Sequence, residues 1–331
     1  SSVSDWKILT GDVVPLASSR SLARLSLYGT KFDAHAALLL SSGLRSEGGS
    51  GLEHLEVGRN DLSSEGLVNL CGALQRMTKL EHLGLGCNLI DQQGVQGLES
   101  EVPDLTTLTS LTLGRNRIDD SGAEAISRII GRNPGLRRLD LESNRFKDIG
   151  VESIGMALST GTFGLTSLLL GHNRMEVGGA QMFAISLRGL TALQELDIAH
   201  NLIGPQGATA VAEGLRQCLH LNSLHLGGNK LGDEGAEALG FMLSAWPSLS
   251  FLSLRDNKIG DDGISQVVGG LKEHSSGSLL HLDIAFNSVT EGRARLLADT
   301  LGACTQLRVC DLGFNSLSAK GQNTKIPNPK F

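Results

Sequence analysis

The sequence predicts an α/β solenoid of about eleven repeats, with parallel strands on a concave face and helices on a convex face. Three observations predict it. Ten asparagines recur with a near-constant period: Asn60, Asn88, Asn116, Asn144, Asn173, Asn201, Asn229, Asn257, Asn287 and Asn315. The gaps are 28 residues, apart from one of 29 ending at Asn173 and one of 30 ending at Asn287. A fixed period of this size marks units that are stable only when stacked on their neighbours. Around each asparagine runs L-x-x-L-x-L-x-x-N-x-I/L, read cleanly from Leu108, Leu221 and Leu249, and again from Leu80, Leu136, Leu165 and Leu193. Looser copies begin at Leu22, Leu52, Leu279 and Leu307. Finally, glycine follows asparagine by six residues in nine of ten units, as at Gly66, Gly122, Gly207, Gly235 and Gly263.

Each element of the unit follows from its residues. The L-x-L step alternates apolar and polar, as a half-buried strand does. In the unit from Leu108, Leu111 and Leu113 are expected inward, and Ser110, Thr112 and Gly114 outward. At the asparagine the chain leaves the sheet, and the last strand residues lose their ladder partners. An inward amide side chain carries two donors and an acceptor that can satisfy them. One per unit predicts a buried polar ladder, so these asparagines are read as structural. The glycine either lets the next helix lie close to its neighbour or frees the backbone to turn. Asp or Ser just before it is placed to cap that helix. Apolar residues at helical spacing follow, such as Ala236, Leu239 and Leu243.

Strands about 4.8 Å apart on one side and helices 8 to 10 Å apart on the other predict a right-handed horseshoe with the strands inside. Residues 1–21 lack the repeat; Trp6, Ile8, Leu9, Val13 and Val14 suit an N-terminal cap. The repeat domain is expected over 22–319, and 320–331 form an irregular tail rich in Pro and polar residues. The eleventh unit has its strand and Asn315 but no amphipathic helix after it, so the tail or a partner is expected to cover it.

Bulk properties narrow the function. Net charge is -6 with a pI near 5.9, which gives no electrostatic case for nucleic acid. The longest apolar run, Ala36 to Leu40, is far too short for a membrane span. No secretory leader is read at the N-terminus. The five cysteines are odd in number and form no Cys-x-x-Cys pair. They are expected as free thiols in a cytoplasmic or other intracellular reducing compartment, with no zinc. No G-x-S-x-G, P-loop or H-E-x-x-H occurs, so no catalytic residues, cofactor or small-molecule substrate are expected.

These units resemble the ribonuclease-inhibitor-like subtype of leucine-rich repeat, as in the repeat arrays of NOD-like receptors and in Ran GTPase-activating proteins. The resemblance runs over residues 22–319. It implies a scaffold that binds other proteins, alone or as a subunit of a larger assembly. GTPase activation of the Ran type, or the sensor region of a NOD-like receptor, are the alternatives it carries. The closing KIPNPKF departs from the acidic tail usual in Ran GTPase-activating proteins.

Candidate binding residues sit at outward strand and loop positions, because the motif positions are core. Asp140, Glu142, Glu195 and Asp197 place acidic groups on neighbouring units, and Asp283 and Asp311 do so near the C-terminal end. Such a face favours a protein partner with a basic segment. Phe251, Phe286 and Phe314, with Val309, form an aromatic group there, in a chain with only 4% aromatic residues. Aromatics ringed by charge are typical anchors. Six of nine histidines also fall at concave or adjacent loop positions: His54, His82, His172, His200, His225 and His281. His54 with His82, and His172 with His200, are expected within about 5 Å of each other. No third ligand is in reach of either pair, so they are read as polar surface rather than metal sites.

Overall fold

The computed structural model describes residues 22–47, 51–161, 164–273, 278–293, 297–298 and 306–317. The expected N-terminal cap (1–21) and C-terminal tail (320–331) lie outside the described residues. The chain forms two compact units, Ser1–Leu165 and Thr166–Phe331.

The first unit alternates β1 (Arg24–Ser26), α1 (Ala34–Glu47), β2 (His54–Glu56), α2 (Ser63–Leu74), β3 (His82–Gly84), α3 (Gln92–Glu101), β4 (Ser110–Thr112), α4 (Asp120–Arg132), β5 (Arg138–Asp140) and α5 (Asp148–Gly161). The second contains β6 (Ser167–Leu169), α6 (Val177–Leu187), β7 (Glu195–Asp197), α7 (Gly204–Gly214), β8 (Ser223–His225), α8 (Gly232–Met242), β9 (Phe251–Ser253), α9 (Asp261–Glu273), β10 (His281–Asp283) and β11 (Val309–Asp311). The fold is the predicted α/β repeat. Within each unit the strands pair in parallel with their immediate successors in sequence. Equivalent leucines stand opposite each other: Leu25, Leu55, Leu83, Leu111 and Leu139 in the first, and Leu168, Leu196, Leu224, Leu252 and Leu282 in the second. The strands are only three residues long because each chain soon leaves the sheet, yet the pairing runs on past them. Leu113 N–H donates to Asp140 O at 2.8 Å, and Leu226 N–H to Ser253 O at 3.0 Å.

Burial follows the motif. Leu111, Leu113, Ile118 and Ile126 are fully buried, as are Leu224, Leu226, Leu231 and Ala236. Gly114 faces outward as expected, yet it is buried, because the Asp140 carboxylate lies over it; a β-carbon there would stand 2.6 Å from Asp140 Oδ1. Glu56 and Asp197 lie over Gly58 and Gly171 in the same way.

The asparagine ladder is present. Asn88 Nδ2 donates to Val57 O at 3.0 Å and Leu85 O at 3.1 Å, while its Oδ1 accepts from Asn60 N at 3.1 Å. Asn229 repeats this with Ile198 O, Leu226 O and Asn201 N. Each amide thus ties the strand end of its own repeat to the repeat before it, where regular ladder bonds stop. The residue ahead of each asparagine pays for this turn by taking a left-handed backbone. Arg59, Cys87, Arg115, Ser143, His172, His200, Asp256, Phe286 and Phe314 all have φ between 53 and 58°.

Close helix packing, not backbone freedom, explains the glycine six residues later. A β-carbon at Gly66 would meet Ala34 Cα at 3.0 Å, and one at Gly263 would meet Asp233 Cα at 2.8 Å. Side-chain capping is partial. Asp91 and Asp119 cap α3 and α4 by accepting backbone N–H bonds two and three residues on. In α2, α7 and α8 the residue ahead of the helix makes no such bond. The first-turn acids Asp120, Asp233 and Asp261 instead accept from the next repeat, at Lys147 N, Gly260 N and Thr290 N.

A second buried column closes the return loops. Asn133 donates to Leu105 O and Ile129 O, and fully buried Trp246 donates through Nε1 to Leu215 O at 3.1 Å. Cys218 occupies the equivalent position, its thiol pushed up to about 12 by burial; Cys71, buried in α2, is likewise pushed to about 12, chiefly by burial. Cys71, Cys87 and Cys218 are free thiols. Cys304 lies outside the described residues.

Candidate partner-binding surface on the strand side

The outward strand positions form columns, and in the second unit these bring aromatic and charged groups together over β8 to β11. The Phe251 ring stacks on His225 with centroids 4.5 Å apart and leans on His281 at 4.7 Å. His225 Nε2 lies 2.9 Å from Ser223 Oγ. Val309, 46% exposed, extends this wall, since it pairs directly with His281. Five residues further along each chain a second wall rises. Phe286 and Phe314 stack with centroids 4.1 Å apart and planes 19° apart. They are 39% and 77% exposed. At about 3.3 Å per residue, the two walls stand up to about 16 Å apart.

Between the walls lie Ser253, Asp283, Asp311 and Arg255. Asp283 Oδ1 accepts from Ala285 N at 3.1 Å and Asp311 Oδ1 from Gly313 N at 2.9 Å. Ser253 Oγ donates to Asp283 Oδ2 at 3.4 Å. The Arg255 guanidinium lies 4.2 Å over the Phe286 ring. Its Nη1 reaches Asp283 Oδ1 at 3.8 Å and Asp311 Oδ2 at 3.6 Å. All six predicted residues of the C-terminal group, Phe251, Asp283, Phe286, Val309, Asp311 and Phe314, therefore share one surface.

Of the other four predicted residues, Glu195 and Asp197 pair with Ser223 and His225 at the edge of this surface, and Asp140 and Glu142 belong to the first unit. Asp140 Oδ1 accepts from Glu142 N at 3.1 Å, and Glu142 pairs with Arg115 at 3.6 Å. Burial holds the Asp140 carboxyl above its ordinary value, and the Glu142 charge adds to this; the bond from Glu142 N and the charges of Arg138 and Arg115 oppose it. Glu195 and Asp197 stand on β7 of the second unit. Glu195 Oε2 accepts from Ser167 Oγ at 2.6 Å, and Asp197 Oδ1 from Ala199 N at 2.8 Å. These acids are half-buried, with Glu142 and Glu195 also bound to groups of the repeat before. Asp140, Asp197, Asp283 and Asp311 each satisfy the amide two residues on, a turn-forming bond.

Both expected histidine pairs are in contact. His54 and His82 stack at 3.9 Å, and His172 and His200 at 4.1 Å. Desolvation first, then the neighbouring imidazole, holds His82 and His200 below the usual histidine range. Their rings are near parallel, at 8° and 17°, so the nitrogen lone pairs of a pair do not converge on one point. Sequence reasoning missed Arg255 as a part of the surface. The signal was there, because its column is otherwise mostly Gly or Ala.

Six segments match the leucine-rich repeat family: residues 52–71, 104–127, 132–155, 189–212, 217–240 and 247–267. Those segments are similar to leucine-rich repeats. Solved structures with this fold include an internalin (inlF) from Listeria monocytogenes str. 4b F2365. It is 20% identical with a TM-score of 0.56, over 97% of this chain and 92% of that one. The structure of a TLR13–ssRNA13 complex is 19% identical with a TM-score of 0.53, over 92% of this chain and 37% of that one. A comparison with curated protein sequences found no match. Among the described residues no helix is long and apolar enough to cross a membrane.

Proposed function

We propose that this protein is a non-enzymatic protein-interaction scaffold that holds a partner on the strand side of its second unit, across β9 to β11. One observation carries the reading. Phe286 and Phe314 stack on each other at the turn position of their repeats while exposing their rings. The left-handed backbone there is common to the repeats, so it does not single them out. Neither ring contributes to the core, so folding gains little from them. An exposed, stacked aromatic pair beside charged groups is the mark of a binding site.

Asp256, Asp283 and Asp311 outnumber Arg255 there, which supports a partner with a basic segment, steered in by charge. The half-buried acids of β7 add to that field. A helix in every complete described repeat and the 28-residue period support the ribonuclease-inhibitor-like subtype. The free thiols of Cys71, Cys87 and Cys218 support an intracellular reducing compartment.

The test is affinity capture with the double variant Phe286→Ala, Phe314→Ala, alongside wild type and Phe241→Ala, an exposed aromatic on helix α8. The double variant is expected to lose partners that the other two retain, with its melting temperature unchanged. Retention of every partner by the folded double variant overturns the proposal.

A further inference from the structure

The helix side of the second unit carries a surface cavity of about 330 Å³ between α7 and α8. Ala212, Ala238, Phe241 and Met242 give it an apolar lining. The repeat explains why the seam is open there. Eleven residues after Asn88 stands Glu99 of α3, and twelve after Asn116 stands Arg128 of α4. Those two side chains meet at 3.3 Å and bridge their helices, and Arg132 also pairs with Glu99. In α7 and α8 the same two positions hold Ala212 and Phe241. Alanine is too short to reach across, so no bridge closes the seam. Phe241 stays 74% exposed. Among the described residues, no ring or cation of this chain stacks on it.

Three carboxylates edge the cavity: Glu213 from α7, and Glu234 and Glu237 from α8. All three are exposed, and among the described residues none forms an ion pair. The α3–α4 seam thus supplies both charges of its bridge, while the α7–α8 seam offers apolar surface edged by charge of one sign. Its complement is a cation that carries hydrocarbon. Lysine and arginine are built this way, burying an apolar stem while the charged end reaches outward. An exposed aromatic ring adds attraction for the same group.

We propose that the α7–α8 cavity docks a basic segment of a protein partner. It takes one lysine or arginine side chain, the stem along Ala238, Phe241 and Met242 and the charged end among Glu213, Glu234 and Glu237. A purely apolar segment would cover the carboxylates without pairing them, which is unfavourable, and an acidic one would be repelled. The site shares no residue with the strand-side surface and stands independently of it.

Two octapeptides test this on the intact protein at low ionic strength, one of alternating Lys and Ala and one of alternating Glu and Ala. Carbon-13 labelling of the methionine methyl groups places one signal in the cavity, at Met242, and another outside it, at exposed Met156 of α5. The lysine peptide is expected to move the Met242 signal saturably and to leave Met156 in place. The glutamate peptide is expected to move neither. In the same titration the double variant Glu213→Gln, Glu237→Gln is expected to weaken affinity about fivefold or more. Phe241→Ala is expected to weaken it too, and Ile185→Ala, an exposed position on α6, to leave it unchanged. Circular dichroism melts confirm that each variant is folded. A Met242 signal that does not move, equal movement with the glutamate peptide, or full affinity in the glutamine double variant overturns the inference. So does a Met242 shift that grows with protein concentration alone alongside a dimer in sedimentation velocity, which gives the cavity to a second copy. The capture experiment reads the strand side and this titration the helix side, so either reading can fail alone. Phe241→Ala retains strand-side partners in that experiment, whatever it loses here.

Discussion

The Asn229 side chain donates to Ile198 O at 2.9 Å and Leu226 O at 3.1 Å, and its Oδ1 accepts from Asn201 N at 3.2 Å. Alanine would take the acceptor from buried Asn201 N, while Ile198 O and Leu226 O keep bonds from Asn201 Nδ2 and Asn257 Nδ2; an unsatisfied buried group costs about 1–3 kcal/mol. Asn229→Ala is expected to lose about 1–3 kcal/mol in urea unfolding, with Asn315→Ala, where the side chain is only part-buried, losing less. Charge behaves differently. Asp140 is held above its ordinary carboxylate value, so its contribution is complete below the unfolded value and lost as pH rises through the folded one. Asparagine keeps the acceptor for Glu142 N. Thermal melts of Asp140→Asn are therefore expected to match or exceed wild type at neutral pH, with the difference vanishing in acid. His82 and His200 are held low, so their contribution is full above about 6.5 and falls away as pH drops through the lowered value.

At the scale of the element, small residues decide how closely helices approach. A β-carbon on Gly270 of α9 would stand 2.1 Å from Gly240 O of α8, a backbone atom that cannot swing aside. Gly269, its neighbour, has nothing within 4 Å. The two positions give a matched pair. Gly270→Ala is expected to cost about 1–3 kcal/mol by overpacking. Gly269→Ala is expected to gain up to about 1 kcal/mol from helix propensity. Equal effects in a chemical denaturation series would contradict the close α8–α9 contact. Both glycines are ordinary helix residues in sequence, and only the neighbouring backbone separates them.

For the molecule as a whole, the helices and strands of each unit pack on those next in chain order. Stability in such arrays is close to a sum of repeat and nearest-neighbour terms. Removing core volume should therefore act locally. Leu168→Ala in β6 is expected to raise amide hydrogen exchange in β6 and β7 while β9 and β10 stay protected. A uniform rise through the second unit would show a single cooperative core instead. The strand-side surface is a whole-molecule property of the same kind: Phe251, Arg255, Phe286 and Asp311 come from three different repeats and meet only because the repeats stack in register.

The repeat fold was legible in the sequence because period, leucine spacing and asparagine position are properties of the chain alone. Each leucine column and each amide follows from counting. The C-terminal aromatic group was legible for the same reason, since register assigns faces. What only the tertiary structure decided was how side chains at known positions use their neighbours. Asp140 bends over Gly114 and becomes half-buried, and Asp311 reaches back to Arg255 with the oxygen that Gly313 N does not use. Arg255 chooses Phe286 and two aspartates one and two repeats away. Periodicity determines where a side chain starts, but its rotamer and partners are set by distances across repeats that no spacing rule contains.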